Sequence, residues 1–219
     1  MNKSDKSIQE SIYDEVMPRT MSRADEKKLL IIQAAIQTYA SIDIGYVSYE
    51  DIARQAGVNR PLVNHHFPDK EVLFTLASKT IRAHFQKLAI EEIQKKDNPK
   101  DQLIAYVSAC LRWAQESSEH FRAWMFFFYI CMANPKQRSL HKELTDMGMH
   151  RIEGLLQAAA HAGQTTGPAD LAIKAKNIQR VITGAMVEFA TEHDHTDSKS
   201  LHSIRDQAVE LCLTIAGFR

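Results

Sequence analysis

Apolar residues recur three and four apart along most of this chain, and the stretches between them are broken at Gly, Pro, Asn and Asp. That period belongs to helices. Leu29, Ile32, Ala35, Ile36 and Tyr39 mark a buried stripe on a helix over about residues 22–41, opened by Ser22 as a cap. Two short helices follow within 48–68. A long one then runs from Asp69 to about Lys96 with Leu73, Leu76, Thr80, Phe85 and Leu88 among its apolar positions, until Asn98-Pro99 breaks it. The next, about Lys100 to Ser117, carries Leu103, Val107 and Leu111 on one side and Tyr106, Cys110 and Trp113 on another. From about Glu119 to Ala133 the pattern is apolar nearly all round, which predicts a helix buried nearly all round, at the centre of the core or walling a cavity. A more polar helix spans about Lys136 to Ala162, and Gly163–Pro168 is the clearest loop of the second half. Two final helices, about Ala169 to Thr191 and Ser200 to Phe218, flank a polar connection and carry more apolar positions than one face holds.

The stretch Ser48 to Phe74 is the most constrained. Ser48 caps a helix in which Asp51 suits the positive end of the dipole, and Ile52, Ala53 and Ala56 share one face. Gly57 ends it, since a residue without Cβ takes the left-handed conformation of a sharp turn at little cost. Val58 turns toward the core. Asn59 caps the next helix, Pro61 stands in its first turn, and Val63 and Phe67 form its inner side until Pro68 stops it. Small Ala53, then Gly57, then Val63 is the spacing of a helix-turn-helix, whose second helix fits a major groove. An ordinary helical hairpin within a core shares that spacing.

With 219 residues and an apolar fraction of 44%, the chain is long enough to bury a substantial core in one domain or two. Only eight glycines and six prolines occur, which fits an all-α fold. Net charge is zero, so any attraction for nucleic acid has to be local. Cys110, Cys131 and Cys212 lie in apolar contexts without CxxC spacing, as buried thiols in a reducing cytoplasm do. No apolar run approaches the roughly 20 residues of a membrane span, and residues 1–20 lack a signal-type apolar block and read as a flexible arm.

From about Lys27 to Phe74 the sequence resembles the tetracycline-repressor-like (TetR) family of bacterial transcription regulators. The likeness lies in LLIIQAAIQTYA, YEDIARQAGV, NHHF and DKEVLF. It implies a three-helix DNA-binding domain over 21–68, a carboxyl-terminal helical bundle for regulation and dimerisation over 69–219, and a cytoplasmic repressor rather than an enzyme. It further implies a homodimer on a double-stranded, palindromic operator, released by a small-molecule effector. Two departures stand out. Asp43 occupies a place where relatives carry Gly, with Gly45 two later, and Asn64 replaces an aromatic residue; Asn can pair two-pronged with adenine.

The DNA-facing candidates are Ser48, Tyr49 and Lys70 at helix starts that abut phosphates, and Arg60, Pro61, Leu62, Asn64, His65 and His66 on the second helix. Arg60 suits guanine or phosphate, and Leu62 a thymine methyl. Tyr106, Cys110, Trp113, Trp124, Phe127, Met147 and His150 are candidates to line an apolar effector pocket. His193, Asp194, His195 and His202 have metal-ligand chemistry but sit in or beside a polar connection, so a solvated loop is the expectation and no metal or other cofactor is assigned. The rival from another class is a helical ligand- or metal-binding protein with a vestigial DNA-binding motif.

Overall fold

The computed structural model describes residues 22–41, 47–165, 170–194 and 196–218. The proposed arm, the turn at Asp43 and Gly45 and the second half of the GQTTGP loop fall outside them, as does His195. The described residues form nine α-helices and no strand: α1 Arg23–Ser41, α2 Tyr49–Ala56, α3 Arg60–His66, α4 Lys70–Gln94, α5 Pro99–Glu116, α6 Ser118–Ala133, α7 Pro135–His161, α8 Leu171–Glu192 and α9 Ser198–Ala216. The all-α expectation holds.

Helix starts follow local chemistry. Ser22 and Asp25 form a reciprocal pair, the Asp25 N–H donating to Ser22 Oγ at 3.2 Å and the Ser22 N–H to the Asp25 carboxylate at 3.0 Å. Ser48 and Asp51 do the same at α2. Asn98 accepts from the Asp101 N–H at 2.9 Å, so α5 begins at Pro99 rather than after it. At the last helix Asp197 accepts from the Ser200 N–H at 3.0 Å, which moves the start back to Ser198. Gly217, at φ +79°, ends that helix at Ala216, before the expected Phe218.

Two compact units form. One contains residues 85–118 together with those from 145 onward. Its core is built by α5, α8 and α9, which pack on one another through Leu103, Val107, Leu111, Ile178, Ile182 and Ile204. Phe85 meets Tyr106 and Trp113 at ring separations of 6.4 and 5.2 Å. Cys212 is fully buried here, and burial pushes its thiol up to about 12, where it is inert.

The other unit joins the described residues up to His84 with 119–144. Ile31, Ile32, Ala35, Ile36 and Tyr39 of α1, Ile52 and Ala53 of α2, Val63 of α3, and Leu73 and Phe74 of α4 are buried in it. Helix α6 differs from the expectation of burial nearly all round. Phe121, Ala123, Phe127 and Cys131 are buried, but Tyr129 is 51% and Met132 70% exposed. The reason is one-sided packing. Phe127 meets Phe74 at 4.5 Å and Phe126 stacks on Tyr39 at 5.5 Å, while Tyr129 and Met132 lie on the flank left to solvent.

Besides His66 of α3, the half-buried histidines His84, His120 and His141 share this second unit. The His84 and His120 rings stack at 4.7 Å, and His141 packs edge-on against Phe128 at 4.6 Å. Burial, with the neighbouring His84, holds His120 below its ordinary 6.5, and burial, with Arg82 nearby, does the same to His141. Unfolded histidines titrate near 6.5 and so bind protons at a pH where folded His120 and His141 stay neutral. Stability therefore rises with pH through that interval and falls as pH drops below it. The urea midpoint is expected to be lower at pH 5.5 than at pH 7.5, with a smaller drop in His120→Gln. Equal midpoints for the wild type would contradict the assignment.

Candidate nucleic-acid interface

The geometry of α3 starts at the turn before it. Gly57 adopts φ +64° and ψ +31°, and its N–H bonds the Ala53 and Arg54 carbonyls, while the Val58 N–H reaches the Ala53 carbonyl at 3.0 Å. A Cβ added at Gly57 meets nothing within 4 Å, so glycine is required there by backbone conformation and not by crowding. Asn59 Oδ1 then accepts from the Leu62 N–H at 2.9 Å and fixes the first turn of α3.

Helix α3 is held by one side only. Val63 is fully buried and Phe67, its C-cap, nearly so. Arg60, Pro61, Asn64 and His65 are exposed, and Leu62 and His66 are half-buried. Six of the nine DNA-facing candidates thus gather on one short rod, with its polar side turned to solvent. The His65 and His66 rings meet edge to face at 5.3 Å. Partial burial, with His65 and Lys28 nearby, lowers the His66 pKa, so at neutral pH its ring is an uncharged donor and acceptor.

The remaining three candidates sit at helix starts, and all three are engaged internally: the Ser48 hydroxyl donates to the Asp51 carboxylate at 2.5 Å, within the reciprocal cap of α2. The Tyr49 hydroxyl donates to the Phe67 carbonyl at 2.6 Å, tying the first turn of α2 to the end of α3. Its single proton is spent there, which leaves none for a phosphate while that bond holds. Lys70 Nζ donates to the Val47 carbonyl, just ahead of the Ser48 cap. Sequence alone signals neither bond, because 18 residues separate Tyr49 from Phe67 and 23 separate Lys70 from Val47. Exposed Arg23, Lys27 and Lys28 on the first turns of α1 add local positive charge to a chain with none overall.

The seven effector-pocket candidates are dispersed. Tyr106, Cys110 and Trp113 are core residues of the unit formed by 85–118 and 145 onward, with Tyr106 and Trp113 gathered on Phe85. In that unit Met147 is half-buried and His150 exposed. Trp124 and Phe127 belong to the other unit, where Phe127 is core and Trp124 packs edge-on against Phe128 at 4.5 Å. A cavity of about 260 Å³ does occur in that second unit, bounded by Tyr39, Val47, Phe74, Phe126, Ile130 and Gln137 among others, and none of the seven lines it. Among the described residues no three His, Cys, Asp or Glu side chains gather as metal ligands. His193 Nδ1 lies 3.7 Å from an Asp197 oxygen, and His202 Nδ1 contacts the Ser198 carbonyl. No described helix is long and apolar enough to cross a membrane.

Residues 31–77 match the model for bacterial regulatory proteins of the tetR family, and residues 99–214 the model for the carboxyl-terminal part of BetI-type transcriptional repressors. The HTH-type transcriptional regulator BetI of Stenotrophomonas maltophilia is 28% identical over 131 residues, 58% of this chain and 67% of the relative. The BetI of Proteus mirabilis is 24% identical over 191 residues, 86% of this chain and 92% of the relative. In fold, the chain is similar to the crystal structure of a TetR transcription regulator from Haloarcula marismortui, with a TM-score of 0.76 at 14% identity, covering 86% of this chain and 97% of that one.

Proposed function

This chain belongs to the TetR family of bacterial regulatory proteins, with a BetI-type carboxyl-terminal half, and from that premise we propose that it is a sequence-specific repressor. It acts as a homodimer on a double-stranded operator and is released by a small molecule. One observation carries the reading. Helix α3 is anchored through Val63 and Phe67, and it presents Arg60, Pro61, Asn64 and His65 to solvent on a rod short enough for a major groove. The head over 21–68 is the DNA-binding region in this reading, and 69–219 supplies regulation and pairing. No catalytic role is assigned, and the place of action is the cytoplasm.

Each exposed group has a chemistry that suits it. The Arg60 guanidinium matches guanine O6 and N7 two-pronged, and Asn64 matches adenine N6 and N7. His65 and the neutral His66 can donate to the sugar-phosphate backbone, and the N–H groups at the start of α2 near Ser48 favour an anion. Removing Arg60 should relax sequence choice without disturbing the fold, because its side chain is exposed. In a titration of duplex from the chain's own upstream region, Arg60→Ala should cost about tenfold or more in affinity for operator and much less for random duplex. Wild-type affinity should fall steeply with salt. Equal affinity for the two duplexes in the wild type would end the regulator reading.

Pairing follows from what α8 and α9 leave uncovered. Ile173 and Leu211 are exposed large apolar residues, Ile215 is half-buried beside Leu211, and Gly184 stands on the open side of α8 with nothing near its Cβ position. A second copy laid on these helices would cover that surface, and two α3 helices related by a twofold axis would read two half-sites. Ile215→Glu should therefore shift the sedimenting species from two chains toward one. A wild type that sediments as a single chain at micromolar concentration would exclude the pairing.

A further inference from the structure

The cavity in the unit formed by the described residues up to His84 and by 119–144 has chemistry of its own. Tyr39 comes from the end of α1, Phe74 from α4, Phe126 and Ile130 from α6, and Gln137 from the first turn of α7. Most of its wall is aromatic or aliphatic, and the Phe126 ring lies nearly parallel to that of Tyr39, with 14° between planes. A 150 Å³ apolar cavity accepts benzene, so about 260 Å³ accommodates a flat molecule of roughly ten non-hydrogen atoms.

Charge at the rim is already committed. Glu71 pairs with Lys136 at 3.1 Å and meets Asn134 Nδ2 at 3.5 Å, and Lys70 Nζ donates to the Val47 carbonyl. An ionic ligand gains little from groups engaged in this way. Two polar atoms differ. Tyr39 and Gln137 are each only 5% exposed, yet among the described residues Tyr39 Oη and Gln137 Oε1 have no hydrogen-bond partner. Buried polar groups are rarely left unmatched, and a hydroxyl and a terminal amide can each reorient by one torsion toward an added group. Gln137 is held in place for this. Its N–H donates to Asn134 Oδ1 at 3.4 Å, and its carbonyl accepts from Cys131 Sγ at 3.3 Å.

We infer that this cavity is a binding site for a small, flat, neutral molecule bearing one N–H or O–H donor, with Gln137 Oε1 as acceptor and the Tyr39 hydroxyl as a second polar contact. Resting on the repressor reading, the inference deepens it by placing an effector site against the head. The wall of the cavity includes Val47, whose carbonyl holds Lys70 and whose neighbour Ser48 caps α2. A ligand between Tyr39, Phe126 and Gln137 therefore favours whichever spacing of α1, α6 and α7 fits it, and α1 is the helix on which α2 packs. Occupancy weakens the hold of the head on DNA.

Calorimetric titration of the full chain with indole and with 2-naphthol tests this. Both should bind saturably at one molecule per chain. Gln137→Leu should weaken indole about fivefold, the scale of one hydrogen bond, and leave 1-methylindole unchanged. Ile130→Trp, which fills the cavity, should lower affinity for both probes by about tenfold or more. Crystals soaked in 5-bromoindole should show the anomalous bromine signal between Phe74 and Phe126, whether or not Ile130→Trp folds. In a duplex titration indole should reduce wild-type affinity and leave Ile130→Trp unaffected. No saturable binding of either probe, or bromine found elsewhere, overturns the site as one that holds water only. Probe binding with unaltered duplex affinity overturns its link to DNA release. Duplex binding that fails altogether, with probe binding intact, condemns the repressor reading and leaves the site standing.

Discussion

Everything about the head depends on the one-sided burial of α3. Val63 and Phe67 are the only residues between Arg60 and Phe67 that the core takes in, and they lie four apart, on one side of a helix of seven residues and its C-cap. Burying two such side chains is worth roughly 3 to 6 kcal/mol before entropy is counted, a large share of a small domain's margin. The turn makes that burial possible. With Gly57 left-handed, α3 leaves α2 at an angle that returns Val63 to the core. The polar residues are then not selected for the surface individually. They have nowhere else to go.

Two internal bonds extend the constraint from α3 to its neighbours. Tyr49 to the Phe67 carbonyl joins the beginning of the two-helix motif to its end, and Lys70 to the Val47 carbonyl joins the segment before the motif to the helix after it. Both satisfy carbonyls that would otherwise be left without partners at helix ends or in connections. Tyr49 and Lys70 thus have structural duties at positions where their residue types also suggested phosphate. In the proposed reading, a phosphate at the α2 start would meet backbone N–H groups more than these side chains.

The sequence was legible where the determining contacts are local. Ser22, Ser48, Asn59 and Gly57 each act within three or four residues of themselves, and each of these caps and turns stands where residue chemistry indicates. Even the misplaced start of α9 was a local matter, since Asp197 accepts from the Ser200 N–H three residues on. Helix α6 was not legible in the same way. Its composition says how much surface wants cover, but not which flank other helices will reach, and Tyr129 and Met132 stay in solvent. The cavity was beyond reach for a stronger reason. Tyr39 and Gln137 are far apart in the chain, and nothing in either neighbourhood marks a hydroxyl or an amide that will lack a partner. The bulky aromatics that suggested a pocket, Tyr106, Trp113 and Phe127, are buried, and none of them lines this cavity.

The central claim, that the outer side of α3 is where DNA meets this protein, can be observed directly through its histidines. In a full chain carrying carbon-13-labelled histidine, adding upstream duplex should shift the ring resonances of His65 and His66, while those of His84, His120 and His141, packed within the same unit, stay near their free positions. Movement of the buried set with His65 and His66 unchanged would contradict the account.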